Sequence, residues 1–331
     1  MRHVFIINPT AGKRNCTVEI MAMAKGLEAR GEETECILTR SPGHARETAA
    51  AAAAGGPVRL YACGGDGTVN EVANGIAGVE SAAMTCIPVG TGNDFLRNFG
   101  DMAPLFASAE NLFDGPQFAL DAIDCNGRLA LTVVCSGLDA QVADDVHRYG
   151  RLLKGQSSYI ASLAVNFFSR SYSHQWTVTL DGETVSGEFI LAAVCNGRYY
   201  GGGFMPSAEA RMDDGVLNTV LVRKVSRAVF LRLVGAYAKG EAWRFPEVAR
   251  RSAAREIVIE SRDRDIVTCL DGESVRSRRV ALRLSEKRVN FFGPAGCDPN
   301  ATCTAIGCGK ERNISPFCVK LEEARMKGEF L

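Results

Sequence analysis

The sequence predicts a doubly wound α/β domain over residues 1–122 and a mainly antiparallel β domain over 123–293, with an appended segment over 294–331. Three observations carry this. Up to Asp121, strand-like apolar runs alternate with helical patterns, as in a parallel sheet wound by helices. Beyond Asp121, short β-rich runs follow one another between turns, as in antiparallel sheets. The glycine clusters and the Asn-Pro pair lie just after strands, where open α/β sheets bind ligands.

The elements follow in order. "HVFIIN" from His3 is a strand, and "CTVEIMAMAKGLEARG" is a helix ending near Gly31. "TECILT" is a strand, and "GHARETAAAAAAGG" an alanine-rich helix stopped by Gly55 and Gly56. "VRLYAC" is a strand, "TVNEVANGIAG" a helix and "MTCIPV" a strand. In the second domain, strands fall in "LALTVVCSG", "QWTVTLDGETVSGEFILAAVCNG", "GVLNTVLVRKV", "REIVIES", "DIVTCL" and "RVALRL". Helices are expected at Ser157–Ser169, at Ser226–Lys239 and in the terminal "VKLEEARMKGEFL".

Bulk properties narrow the function. At 331 residues, 46% hydrophobic and 23% charged, the composition is that of an ordinary globular protein. Lys+Arg and Asp+Glu both total 38, which speaks against a nucleic-acid partner. The apolar runs are too short or too interrupted to span a membrane, and "MRHVFIINPT" reads as a first strand rather than a signal peptide. A cytoplasmic protein is expected. Its twelve cysteines lack any Cys-x-x-Cys pair. They are expected to be free thiols, including Cys297, Cys303, Cys308 and Cys318 near the C-terminus.

Three strand-end turns share one chemistry: Asn8 to Lys13, Gly64 to Thr68, and Gly90 to Asp94. Glycines let the backbone turn sharply and approach a ligand. Exposed N–H groups at helix starts bind anions. Thr10, Thr68 and Thr91 can add hydroxyl donors, so a polyphosphate is the natural partner. Asp66 and Asp94 would repel bare phosphate but suit one carrying Mg²⁺, which takes carboxylate and phosphate oxygens together. One Gly-Gly-Asp-Gly turn alone says little, since Asp and Gly dominate turns. No Walker A loop and no G-x-G-x-x-G fingerprint is present.

These residues resemble the diacylglycerol kinase catalytic-domain family, in particular its soluble bacterial lipid kinases. "NPTAG" (Asn8 to Gly12) is similar to the family's opening Asn-Pro-x-Ser-Gly, with Ala11 in place of serine. "LTRSPGHA" is similar to its threonine-containing loop, "GGDGTVNE" to its nucleotide signature, and "PVGTGNDF" to its most discriminating N-terminal motif. "LDGES" is similar to its C-terminal Asp-Gly-Glu. The resemblance implies a nucleotide-binding α/β domain and a β-sandwich domain, with the active site in the cleft between. It implies that Asn8, Pro9, Thr10, Ala11, Gly12, Thr39, Gly65, Asp66, Gly67, Thr68, Val69, Asn70, Glu71 and Thr91 contact ATP. Asp66 and Asp94 would serve catalysis, and Glu273 would be the general base. In "PSAEARMDDGVL" it implies a structural Mg²⁺ on the Asp214 carboxylate and the carbonyls of Arg211 and Val216, with Asp213 as a competing ligand.

A second Asp-Gly-Glu, Asp181 to Glu183, reads as an ordinary β-hairpin turn, and Glu273 could be read the same way. Only family order favours Glu273. The expected reaction is phosphoryl transfer from MgATP to a lipid hydroxyl. The expected partners are ATP and a lipid at a membrane surface, with transient peripheral contact and room for a homodimer. The aromatic stretches "NFFSRSY" and "RYYGGGFMP" suit a lipid cleft, though core packing and a glycine turn explain them better. "RAVFLRLVGAYAKGEAWR" suits either an anionic membrane or a buried helix. The rivals are NAD kinase, a phosphofructokinase-type sugar kinase and a nucleotide-binding regulator without catalysis. "GTGNDF", "LDGES" and the three intact acids Asp66, Asp94 and Glu273 stand against them.

Overall fold

The computed structural model describes residues 1–90, 92–149 and 173–297. Thr91, the expected helix at Ser157–Ser169, the aromatic stretch 166–172, and Cys303, Cys308, Cys318 and the terminal helix lie outside the described residues. The chain divides into two compact units. Among the described residues the first holds Met1–Ala122, Arg211–Asp214 and the stretch from Ser285 onward; the second holds the remainder.

The first unit is a sheet wound by helices. Its strands are β1 (Arg2–Ile7), β2 (Glu33–Leu38), β3 (Val58–Gly64) and β4 (Ala82–Pro88), in the order β2-β1-β3-β4 and all parallel. The helices α1 (Thr17–Glu28), α2 (His44–Ala54) and α3 (Asp66–Ile76) connect them. Strands β1, β3 and β4 are apolar and buried along nearly their whole length, as a sheet covered on both faces requires. Beyond β4 come α4 (Asp94–Arg97), α5 (Ala109–Phe113) and β5 (Gln117–Leu120).

The second unit begins with β6 (Ile123–Cys125), β7 (Arg128–Ala130), β8 (Val133–Gly137) and α6 (Leu138–Tyr149). The hairpin β9 (His174–Leu180) and β10 (Glu183–Cys195) follows, then β11 (Leu217–Arg223) and α7 (Arg227–Tyr237). Strands β12 (Ala249–Ala254), β13 (Glu256–Ser261), β14 (Ile266–Leu270), β15 (Glu273–Ser277) and β16 (Arg279–Leu284) complete it. β10 organises this unit. Its first half pairs with β9, and its second half pairs with β8 and β11, with an irregularity between Phe189 and Leu191. The two resulting sheets form a β-sandwich, with Trp176, Val178, Ile257 and Leu282 packed in one core with Val134, Leu221 and Leu270. α7 covers the outer face through Phe230, Leu233 and Tyr237.

One expectation is corrected. The division that kept residues up to 293 in the β domain fails for β17 (Val289–Phe292). It lies in the first sheet, parallel to β4 and antiparallel to β5. The cause is aromatic packing. Phe291 is fully buried and meets Phe95, Phe99, Phe106 and Phe118 at centroid distances of 5.1–5.9 Å. Burying one such ring is worth about 1.5–3 kcal/mol, and Val289 and Phe292 of the same strand are fully buried with it.

Two buried polar networks brace the second unit. The Tyr200 hydroxyl donates to Asp139 Oδ2 (2.8 Å) and meets the Tyr237 hydroxyl at 3.1 Å. Burial raises the Asp139 carboxyl to about 6, despite the opposing hydrogen bonds from Tyr200 and the Ala140 amide. His174 accepts from Arg264 Nε at Nδ1 (3.1 Å). Burial and the neighbouring guanidinium of Arg264 lower His174 to about 4.

Candidate active site

The three predicted turns meet at the carboxyl ends of β1, β3 and β4. Asn8 N–H donates to Cys63 O (2.9 Å), tying the first turn to β3. The Asn8 side chain accepts from Thr10 N–H (3.1 Å) and Thr10 Oγ1 (2.9 Å) and donates to Thr68 Oγ1 (3.3 Å). One side chain therefore fixes the first turn and links it to α3. Pro9, Thr10, Ala11 and Gly12 form the turn itself, with Ala11 N–H donating to Asn8 O (3.2 Å). Thr39 follows β2, its N–H donating to Ile7 O (2.8 Å).

The second and third turns touch. Val89 and Gly90 both donate to Gly64 O, at 3.0 and 3.2 Å. A Cβ on Gly90 would lie 2.5 Å from Gly65 Cα, so no larger residue fits. Gly67 differs: a Cβ there would meet nothing within 4 Å, so protein packing does not explain the glycine, whereas a close ligand would. The first hydrogen bond of α3 runs from Val69 N–H to Gly65 O. The amides of Asp66, Gly67 and Thr68 therefore have no partner within the helix, the arrangement that binds phosphate. Thr68 and Val69 are buried, so contact there would be through backbone, while Asn70 is half-buried.

The acidic residues take distinct positions. Asp66 Oδ1 accepts from Phe95 N–H (3.0 Å), which joins α3 to the third turn. Its other oxygen, Oδ2, is 3.0 Å from where a Gly92 Cβ would stand, so Gly92 leaves room beside it for a cation. Asp94 is buried and its Oδ1 meets Arg97 Nε at 3.1 Å. Glu71 is spent on structure: its two oxygens accept from Gly43 N–H (2.9 Å) and Ala45 N–H (3.0 Å), capping the start of α2.

In the second unit Glu273 opens β15 directly after the Asp271-Gly272 turn, whose φ values are 42° and 100°. Asp271 accepts from Leu131 N–H (2.7 Å) and Thr132 Oγ1 (2.6 Å), and Arg128 forms an ion pair with Glu273. The other Asp-Gly-Glu is built alike. Asp181 and Gly182 have φ of 45° and 90°, Asp181 accepts from the Arg255 and Glu256 amides, and Glu183 pairs with Arg250 at 3.2 Å. Local geometry alone does not rank the two glutamates.

In the expected metal turn, Asp214 is exposed and Asp213 half-buried. Asp213 Oδ1 is buried without a hydrogen bond, 3.7 Å from Arg211 Nε. A buried orphan oxygen is one that a cation would satisfy. Among the described residues no cluster of three or more His, Cys, Asp or Glu could hold a metal.

Comparison with known proteins places this geometry. The diacylglycerol kinase catalytic domain matches residues 2–125, and the YegS C-terminal NAD kinase beta sandwich-like domain matches residues 132–291. A protein of Pseudomonas aeruginosa named probable lipid kinase YegS-like is 31% identical, over 86% of this chain and 93% of its own. The chain belongs to the diacylglycerol kinase catalytic-domain family. A diacylglycerol kinase of Bacillus subtilis is 27% identical over 71% of this chain and 78% of its own. In fold, the chain is similar to a crystal structure of a diacylglycerol kinase from Bacillus anthracis, with TM-score 0.66, 20% identity, and coverage of 90% of this chain and 98% of that one.

Within this kinase fold, sequence reasoning missed Arg128, the Glu273 partner, and Phe95 as the amide that holds Asp66. Arg128 carried no motif signal. Phe95 did carry one, as the last residue of "GTGNDF".

Proposed function

We propose that the chain transfers the γ-phosphate of MgATP to the hydroxyl of a lipid. The observation that supports this most is the start of α3, where free amides, the open Gly67 and the positioned Asp66 lie together. ATP would lie with its phosphates over that helix start and against the turn from Asn8 to Gly12. Asp66 would hold the metal, with Asp94 nearby. Mg²⁺, when bound, offsets charge that develops on the phosphoryl oxygens. Glu273 takes the proton of the attacking hydroxyl as the new O–P bond forms. The bond from the γ-phosphorus to the bridging oxygen breaks, and ADP departs. Asp271 anchors the Glu273 hairpin, and Arg128 sets where the carboxylate rests. Asp213 or Asp214, with carbonyls of Arg211 and Val216, would hold a separate structural Mg²⁺. Positioning and electrostatics supply most of the rate in such transfers.

The test offers γ-labelled ATP and Mg²⁺ to the protein with lipid micelles or with NAD. Label in an organic-soluble product is expected. Label on NAD, or on nothing, overturns the lipid assignment.

A further inference from the structure

We propose that Trp243 and the net basic stretch 223–251 that carries it dock this chain on the surface of an anionic bilayer, a step that rests on the lipid-kinase reading above. The chain has two tryptophans. Trp176 is 1% exposed and Trp243 is 58% exposed. A single exposed aromatic is ordinary on a protein surface; this one is set apart by how it is held and by the charge of the stretch that carries it.

The exposure is not that of a loose loop. Trp243 sits in a 3₁₀ turn, Ala242–Arg244, held on both sides. Ala242 is buried with Phe230, Leu233 and Tyr237, and Phe245 packs against the same core. Arg244 N–H donates to Glu241 O and Phe245 N–H to Ala242 O, both at 3.0 Å. The scaffold therefore presents the indole outward in a fixed place. α7 turns out to be a domain helix, since Phe230, Leu233 and Tyr237 are buried; its solvent side carries Arg227 and Arg232.

Charge completes the surface. The chain is neutral overall, yet residues 223–251 hold eight basic and two acidic residues. Glu183, Glu188 and Glu209 reach in to pair with Arg250, Lys224 and Arg251, and the basic residues remain in excess. Arg244 is 59% exposed and pairs with Glu241 at 2.9 Å, and Arg232 is exposed. An exposed indole carried by a net basic stretch fits the headgroup level of an anionic membrane, where aromatic rings settle and basic residues are attracted. The kinase needs such a seat. Its acceptor hydroxyl would lie at that level, and no helix among the described residues is long and apolar enough to cross a membrane.

The full chain is titrated with phosphatidylglycerol–phosphatidylcholine vesicles and with phosphatidylcholine alone, following tryptophan emission and sedimentation. Trp176 supplies a constant buried background, so a blue shift reports Trp243. The shift and the sedimentation should rise with phosphatidylglycerol and fall with salt. R232E/R244E should lower partitioning by at least roughly 25-fold, at about fivefold for each arginine replaced. Trp243→Ala should also sediment less, with an unchanged melting temperature, and should lose turnover on vesicles but keep it on micellar lipid. An unshifted wild-type emission, or variants that sediment like wild type, overturns the docking surface even if lipid is phosphorylated. A wild type that docks through this surface yet phosphorylates no lipid overturns the proposed function and leaves the surface standing.

Discussion

Gly65 and Gly90 pack backbone against backbone: a side chain begun on Gly90 would stand 2.5 Å from Gly65 Cα. Gly90→Ala should therefore push apart the turns after β3 and β4, costing about 1–3 kcal/mol of stability and most ATP affinity. Gly67→Ala is the contrast, because the protein leaves space there. That variant should melt like wild type in calorimetry yet bind ATP at least tenfold more weakly by titration. Equal ATP affinity in Gly67→Ala would mean that the glycine does not face phosphate.

Glu71 caps α2 through the Gly43 and Ala45 amides. Glu71→Ala should lower unfolding stability by about 1–2 kcal/mol in urea titrations. Saturating ATP should leave that difference unchanged. If ATP stabilises wild type much more than Glu71→Ala, the carboxylate also serves the nucleotide.

Asp139 and His174 should give opposite pH dependences of stability. Asp139 is raised to about 6 from an ordinary 3.8, so its neutral form is favoured in the fold. Its contribution is full below pH 3.8 and is lost as pH rises to 6. His174 is lowered to about 4 from 6.5, so its contribution is full above pH 6.5 and is lost as pH falls to 4. Each is on the order of 3 kcal/mol at most. The two offset each other in wild type between pH 4 and 6. Asp139→Asn should unmask a stability that climbs with pH there, and His174→Gln one that declines, both read from urea midpoints.

Much of this was legible in sequence because local chemistry dictated it. Strand-then-helix alternation and the stops at Gly55 and Gly56 located the first unit, and both Asp-Gly turns located hairpins whose φ values require them. What escaped was determined at a distance. "VNFF" carries no sign that Phe291 belongs among four rings of the first unit. "ARRSAA" is a strand, β12, because it pairs with β11, with Ala249 and Ala254 buried, not by propensity. Glu71 lies inside the nucleotide signature, yet its side chain serves a helix 26 positions earlier.

The two matching hairpins offer the most direct test of the central claim. Glu273 and Glu183 share turn geometry and an arginine partner, so damage to a hairpin should be alike in both. Transfer of label from γ-labelled ATP to micellar lipid is measured for Glu273→Ala and Glu183→Ala, with ATP binding measured in parallel. Glu273→Ala should bind ATP normally and lose transfer by ~10²–10⁴-fold, while Glu183→Ala keeps it. Full transfer by Glu273→Ala, or equal losses in both variants, would contradict Glu273 as the base.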